Sequence, residues 1–246
     1  MKAVVCAFIG LLGLALIPPA LADASPPPDY AAIIAAPDRT DADRKNDERR
    51  QAVKLLAFTG VLPGWKVIDM AAGAGYSTEL MARGAAPGGT VYAQNPPDMR
   101  AEAKTAFTER MQHPAMKDVI LDTRSYDDPV PPGVSNLDLI TFFFGYHDTT
   151  YMPVDRAKMN RAMFDALKRG GHLVVADYAA LPGAPISTGK TFHRLDEAIE
   201  KREIEAAGFK LVEEGMFLRS AADPRNMPIF HPKIPIDIYV LKFEKP

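Results

Sequence analysis

The chain has 246 residues, of which 29 are Lys or Arg and 31 are Asp or Glu, so its formal net charge is −2. This near-neutral balance lacks the basic excess typical of nucleic-acid binding, and no nucleic-acid partner is expected. The single cysteine, Cys6, excludes an internal disulfide framework. A chain of this length with 47% hydrophobic residues can bury the core of one domain.

The first 22 residues have the pattern of a secretory signal peptide. A basic Met1-Lys2 start precedes an apolar run from Ala3 to Ile17, and Ala20-Leu21-Ala22 has the A-x-A form of a cleavage site. The apolar run is shorter than the roughly 20 residues that span a bilayer. We therefore expect cleavage after Ala22 and a periplasmic or secreted protein without a stable membrane anchor. An uncleaved anchor is the alternative.

The next two segments are predicted to differ in structure. Residues 23–39 begin with a proline cluster and are expected to be extended. Residues 40–60 are expected to form one N-terminal lid or cap helix, because Thr40 and Asp43 have the spacing of a capping box. The dense charge of this helix indicates a solvated face. The alternative is a lid over a ligand cleft that offers basic side chains to an anionic group, namely Arg44, Arg49 and Arg50.

Residues 67–95 organise the rest of the chain because they read as a βαβ unit. An apolar strand ends at Met70, a loop of small residues follows over 71–75, a helical pattern begins at Tyr76, and a second strand covers 90–94. Glycines in such a loop let a ligand approach the backbone closely. The helix N-terminus beyond it can accept an anionic group.

Alternating strands and helices continue to the C-terminus. Strands are predicted over residues 117–121, 137–144, 172–178, 209–217 and 236–243, and helices over 98–112, 153–168 and 195–207. This alternation predicts an α/β fold with a mostly parallel sheet and helices on both faces. The last two strands, which no helix separates, are expected to form an antiparallel pair at one edge.

The spacing Asp69-x-Ala71-x-Gly73-x-Gly75 resembles motif I of the class I S-adenosylmethionine (SAM)-dependent methyltransferases, which usually carry glycine where this chain has Ala71. The third glycine of the dinucleotide fingerprint is missing, which disfavours a nucleotide-dependent oxidoreductase. The chain also resembles, more narrowly, the exported predicted methyltransferases of bacteria. That narrower match is carried by Asp43-Arg44-Lys45, residues 91–97, residues 142–148 and Lys245-Pro246.

The resemblance covers residues 40–246 as one methyltransferase domain. It implies a Rossmann-like, seven-stranded, mostly parallel sheet whose last strand is antiparallel. It also implies SAM as the cofactor and transfer of its methyl group to an unidentified acceptor, expected to be a small molecule. The alternative is an exported protein that binds SAM or a nucleoside without turnover, because Ala71 and Asn95 depart from the family pattern.

The resemblance further implies which residues contact the cofactor. The motif I segment would cradle its methionine part, and Asn95 would bind the ribose where the family usually has an acid. The loop after the third strand would contact the adenine. The predicted cofactor-binding residues are Asp69, Ala71, Gly73, Gly75, Tyr76, Asn95, Ser125, Tyr126 and Phe144.

The predicted catalytic residues follow the fourth strand, where the fold faces the methyl group and its acceptor. His147 is expected to accept a proton near neutral pH, since an unperturbed imidazole has a pKa of about 6.5. Asp148 or Tyr146 is expected to orient it. The spacing of His147, Asp148 and His193 matches no metal motif, so no metal is predicted.

Overall fold

A computed structural model describes Met1, residues 26–230 and residues 232–246. The predicted signal peptide lies almost wholly outside these residues. No helix in the described part of the chain has the length and apolarity needed to cross a bilayer.

The structure contains the predicted seven-stranded sheet, in the order β3-β2-β1-β4-β5-β7-β6. The strands are β1 Lys66–Met70, β2 Thr90–Asn95, β3 Val119–Thr123, β4 Leu137–Phe143, β5 Leu167–Tyr178, β6 Lys210–Gly215 and β7 Ile238–Glu244. Strands β1 to β5 pair in parallel, whereas β7 is antiparallel to both β5 and β6. The predicted fold class and its antiparallel edge are confirmed. The strand order reverses between β1 and β4, and ligands bind outside that point in open α/β sheets.

Helices cover both faces of the sheet because its central strands are apolar on both sides. The α-helices of the described residues are α1 Tyr30–Ile34, α2 Asp41–Arg50, α3 Ala52–Thr59, α4 Tyr76–Ala85, α5 Ala101–Arg110, α6 Arg156–Ala166, α7 Thr188–Phe192 and α8 Glu197–Ala206. Side chains of α3, α4 and α5 share one buried cluster with alternate strand residues such as Val67 and Val174. Side chains of α6 and α8 share the other with Ile68 and Val175.

The N-terminal helices correct two expectations. The segment 23–39 is not extended throughout, since α1 lies within it. The Asp29 side chain caps α1 by accepting from the Ala32 amide, and alanines favour the helix. The expected single lid helix is two helices, because Gln51 between α2 and α3 adopts a left-handed conformation with φ 45°. The capping box of Thr40 and Asp43 is present.

The segment between β6 and β7 packs over the carboxyl end of the sheet. It is held by Arg194, whose side chain is fully buried. The guanidinium donates to the Asp223 carboxylate at 2.8 and 3.2 Å and to the carbonyls of Ala179 and Met227. This buried pair fixes an irregular, proline-rich stretch as one wall of the cleft described below.

Candidate active site

Asp69 is the anchor of the motif I loop. Its fully buried carboxylate accepts hydrogen bonds from Ser77 at 2.8 Å, Thr78 at 2.7 Å and Thr141 at 2.7 Å. The sheet register pairs Asp69 with Thr141 across β1 and β4, which explains the third bond. Burial raises the pKa of Asp69, and the three hydroxyl donors oppose that rise. Asp69 therefore positions the loop and the start of α4, and its predicted contact with a cofactor stays a prediction.

The loop itself is shaped by left-handed residues. Ala71 has φ 53°, Gly73 φ 56° and Gly75 φ 82°. A Cβ on Gly75 would lie 3.0 Å from both Phe107 and Arg110, so glycine is required there for packing as well as for conformation. A Cβ on Gly73 would meet only the Ala71 carbonyl oxygen, at 3.8 Å. The backbone at Gly73 is therefore not covered by packed side chains.

The last two residues of β2 hold the loop through hydrogen bonds. Gln94 accepts from the Ala71 amide at 3.1 Å, and Asn95 accepts from the Gly73 amide at 2.8 Å. The Asn95 side-chain amide also donates to the Gly73 carbonyl at 3.2 Å. Asn95 is 2% exposed, so its side chain supports the loop. Its predicted ribose contact stays a prediction, and the structure explains why an amide fits: a carboxylate could not donate to that carbonyl.

Tyr76 connects the loop to α2. Its buried hydroxyl donates to Asp47 at 2.6 Å, and the Arg50 guanidinium lies over its ring, 4.8 Å from the centroid. The same guanidinium lies 4.6 Å from the centroid of Phe144, so Arg50 is sandwiched between two aromatic rings. Its Nε is buried and has no hydrogen-bond partner within the described residues. Arg50 is thus a largely buried cation close to the motif I loop, and the lid role of α2 stays a prediction.

The two predicted cofactor residues of the loop after β3, Ser125 and Tyr126, contact other residues of the protein. Ser125 is exposed and donates to Asp127 at 2.7 Å. Tyr126 is buried and stacks on Phe142 with ring centroids 5.9 Å apart. Burial raises the pKa of Tyr126. Both side chains already have partners, and their adenine contacts stay predictions.

A cavity of about 740 Å³ opens beside Phe144. Phe144 has φ 60°, and its ring packs 5.1 Å from that of Tyr178. Arg49 and Arg50 provide positive charge at one side of the cavity, and the segment between β6 and β7 provides most of its apolar wall. The apolar residues of that wall are Phe217, Leu218, Ile229, Phe230, Ile234 and Ile236.

Tyr146 is a core residue, which corrects its predicted catalytic role. Its side chain is fully buried, its hydroxyl donates to Glu203 at 2.9 Å, and Asn160 donates to that hydroxyl at 2.8 Å. Burial holds the pKa of Tyr146 far above its ordinary value. The residue points into the packed face of α6 and α8 because its backbone leaves the strand in a helical turn.

The side chain of His147 is buried and lies between two carboxylates. Its Nδ1 lies 2.7 Å from Asp177, and its Nε2 lies 3.2 Å from Asp148. Burial opposes protonation, but the charges of Asp177 and Asp148 outweigh it and raise the pKa of His147 to about 10. This environment departs from the ordinary imidazole pKa that the predicted role of general base assumed. His193 also approaches Asp148, with 3.3 Å between Nδ1 and Oδ1.

Three residues beyond the predicted set shape the site: Arg50, Asp177 and His193. The sequence named Arg50 as a basic side chain that a lid could offer, weighed His193 only in a metal motif that it did not match, and placed Asp177 within the strand predicted over residues 172–178. Tertiary contacts distinguish them. Arg50 has an unpartnered buried nitrogen, Asp177 is fully buried against His147, and His193 comes from a separate helix.

The residues present fit the methionine end of SAM. The open backbone face at Gly73 leaves room for a ligand, and the orphaned Nε of Arg50 is a donor that suits a carboxylate. The fit to a ribose has less support, because the Asn95 side chain that was predicted to bind it already bonds to the amide and the carbonyl of Gly73.

Comparison with known proteins supports this interpretation. No protein-family model matches the sequence. The chain is 26% identical over 164 residues to a ubiquinone/menaquinone biosynthesis C-methyltransferase, UbiE, of Pectobacterium carotovorum; the match covers 65% of this chain and 62% of that relative's length.

Solved structures share the fold. A SAM-dependent methyltransferase of Aquifex aeolicus is 17% identical with a TM-score of 0.57, and the match covers 87% of this chain and 97% of that one. Aeropyrum pernix fibrillarin with natively bound SAM is 12% identical with a TM-score of 0.52, over 78% of this chain and 73% of that one. The chain therefore shares the fold of class I SAM-dependent methyltransferases, and its sequence is similar to a C-methyltransferase over less than two thirds of that relative's length.

Proposed function

We propose that the protein binds SAM and transfers its methyl group to a small, largely apolar acceptor. The observation that carries this proposal is Arg50, which lines a cavity of about 740 Å³ near the glycine loop and whose buried Nε has no hydrogen-bond partner among the described residues. The fold and the methyltransferase relatives agree with SAM as the ligand.

The residues around the loop would hold the cofactor. Arg50 would donate to its carboxylate, and the backbone at Gly73 would border its methionine part. The bound cofactor supplies an activated sulfonium methyl group. The chain's contribution is alignment of the acceptor against that group, which can lower a barrier by about 7–11 kcal/mol.

The cavity indicates the chemistry of the acceptor. Its wall is mostly aromatic and aliphatic and includes the ring pair Phe144 and Tyr178. Such a wall suits an apolar ring better than a sugar or a peptide. The relative's role in ubiquinone/menaquinone biosynthesis agrees with an aromatic acceptor of this kind.

A second candidate is a protein that binds SAM or a nucleoside without turnover. The observation that favours it is His147, whose two ring nitrogens lie 2.7 Å from Asp177 and 3.2 Å from Asp148, so that neither is free to take a proton from an acceptor. Detected methyl transfer, even to an acceptor that needs no enzymatic base, would favour the methyltransferase over this second candidate.

The test is a calorimetric titration with SAM, S-adenosylhomocysteine and NAD, followed by transfer of labelled methyl groups to quinols and phenols. We expect micromolar binding of the two sulfur ligands, no binding of NAD, and label in an aromatic product. Binding without transfer to any acceptor would support the second candidate. Absence of binding would refute both.

We further propose that the protein is exported, on the strength of the signal-peptide pattern alone. In a bacterial host that expresses the full chain, the protein should fractionate with the periplasm or the medium and begin at Asp23. Retention in the cytoplasm with an intact N-terminus would contradict this.

A further inference from the structure

His147, Asp148 and His193 come together from two separate elements. The first two lie in the 3₁₀ turn His147–Thr150 after β4, and the third ends α7 with φ 52°. Helix α7 can approach the turn because Gly189 has no side chain; a Cβ there would lie 2.7 Å from the His147 carbonyl oxygen. One ligand atom from each of the three side chains lies within 4.8 Å of the others.

Two of the three distances within this cluster match those of a coordination shell, and the third is no more than 4.8 Å. Asp148 Oδ1 lies 3.2 Å from His147 Nε2 and 3.3 Å from His193 Nδ1. Ligands at about 2.0–2.2 Å from a metal, separated by angles of about 90–110°, lie about 3.0–3.5 Å apart. A single ion can therefore reach all three ligand atoms after small side-chain movements.

A supporting residue orients the most buried ligand. Asp177 accepts from His147 through Nδ1 at 2.7 Å and also from the His147 backbone amide at 2.8 Å. A carboxylate on one ring nitrogen fixes the tautomer and directs the other nitrogen to a metal in many histidine sites. Asp148 and Asp177 also supply two negative charges, which attract a dication.

We propose that His147, Asp148 and His193 form a binding site for one divalent transition metal of the Zn²⁺ class. Two imidazoles and one carboxylate favour such ions over Mg²⁺ or Ca²⁺, which prefer oxygen ligands. Binding replaces the proton on His147 Nε2, which passes to solvent. Three protein ligands would leave an open position for a further ligand. Tyr178 packs against His147 and Phe230 against His193, and both rings also line the cavity of about 740 Å³.

The site is proposed independently of methyl transfer and is tested by metal binding itself. The untagged full chain, stripped with a chelator, is titrated with Zn²⁺ by calorimetry, and its metal content is measured by mass spectrometry after dialysis. Co²⁺ is added in a parallel titration to follow its visible absorption. We expect one equivalent of Zn²⁺ and a saturating Co²⁺ spectrum, with no comparable binding of Mg²⁺.

Variants distinguish this site from adventitious histidine binding. His193→Ala and Asp148→Asn should weaken Zn²⁺ binding by more than about 100-fold, because losing a ligand costs more than losing a supporting hydrogen bond. The matched control is His172→Gln, a half-exposed histidine on β5. Circular dichroism confirms that each variant is folded.

Absence of saturable Zn²⁺ binding, or equal binding by His193→Ala and the parent chain, would overturn the proposal. SAM titration of the same proteins keeps the two proposals separate. A parent chain that binds Zn²⁺ but not SAM would count against the proposed function alone, and one that binds SAM but not Zn²⁺ would count against the metal site alone.

Discussion

Substitution of Arg50 by methionine tests the carboxylate site most directly. The methionine side chain retains apolar packing between Tyr76 and Phe144 but removes the guanidinium that lies 4.8 and 4.6 Å from their ring centroids. A hydrogen bond between charged groups contributes about 1.5–3 kcal/mol. We therefore expect SAM affinity to fall by roughly 10- to 150-fold.

The assay is calorimetric titration with two ligands, SAM and its decarboxylated analogue. The loss should be confined to SAM, because the analogue lacks the group that Arg50 is expected to bind. Arg44→Met is the matched control, since Arg44 lies on the same helix, is exposed and donates only to the Ala36 carbonyl. Equal losses for both ligands would indicate a packing defect, and unchanged SAM affinity would refute the role of Arg50.

Three further predictions concern the scaffold. Gly75→Ala should destabilise the chain more than Gly133→Ala. An alanine at either site must adopt a positive φ, which costs about 1–2 kcal/mol, but only at Gly75 do side chains lie 3.0 Å from the added Cβ. Equal melting temperatures of the two variants would contradict the packing argument. Arg194→Met should cost about 3–5 kcal/mol in urea unfolding, since it leaves a buried carboxylate unpaired, and a cost near zero would refute this. Burial alone would raise the pKa of Asp43, but hydrogen bonds led by that from Arg110 lower it from 3.8 to about 2. The ionised Asp43 carboxylate therefore stabilises the folded state by roughly 2 kcal/mol above pH 4, and this stabilisation is lost as the pH falls from 4 to 2. The free energy of unfolding of Asp43→Asn, measured over that pH range, should lack this decrease.

The sequence determined the α/β architecture because its signals are local. Continuous apolar runs such as 137–143 and the small-residue loop at 71–75 specify buried strands and a tight turn irrespective of distant contacts. The capping box at Thr40 is equally local, and the structure contains it. Where a local pattern was weak, as at Gln51, one predicted helix became two.

The site depended on tertiary structure because its side chains acquire their roles from distant partners. Tyr146 carries a polar hydroxyl after a strand, yet Glu203 and Asn160 occupy that hydroxyl within the core. The sequence alone assigns His147 an ordinary imidazole pKa, but in the fold Asp177, 30 residues away, raises that pKa. Sequence spacing can place residues at the same end of a sheet, but only packing decides which side chains face a cavity and which are already paired.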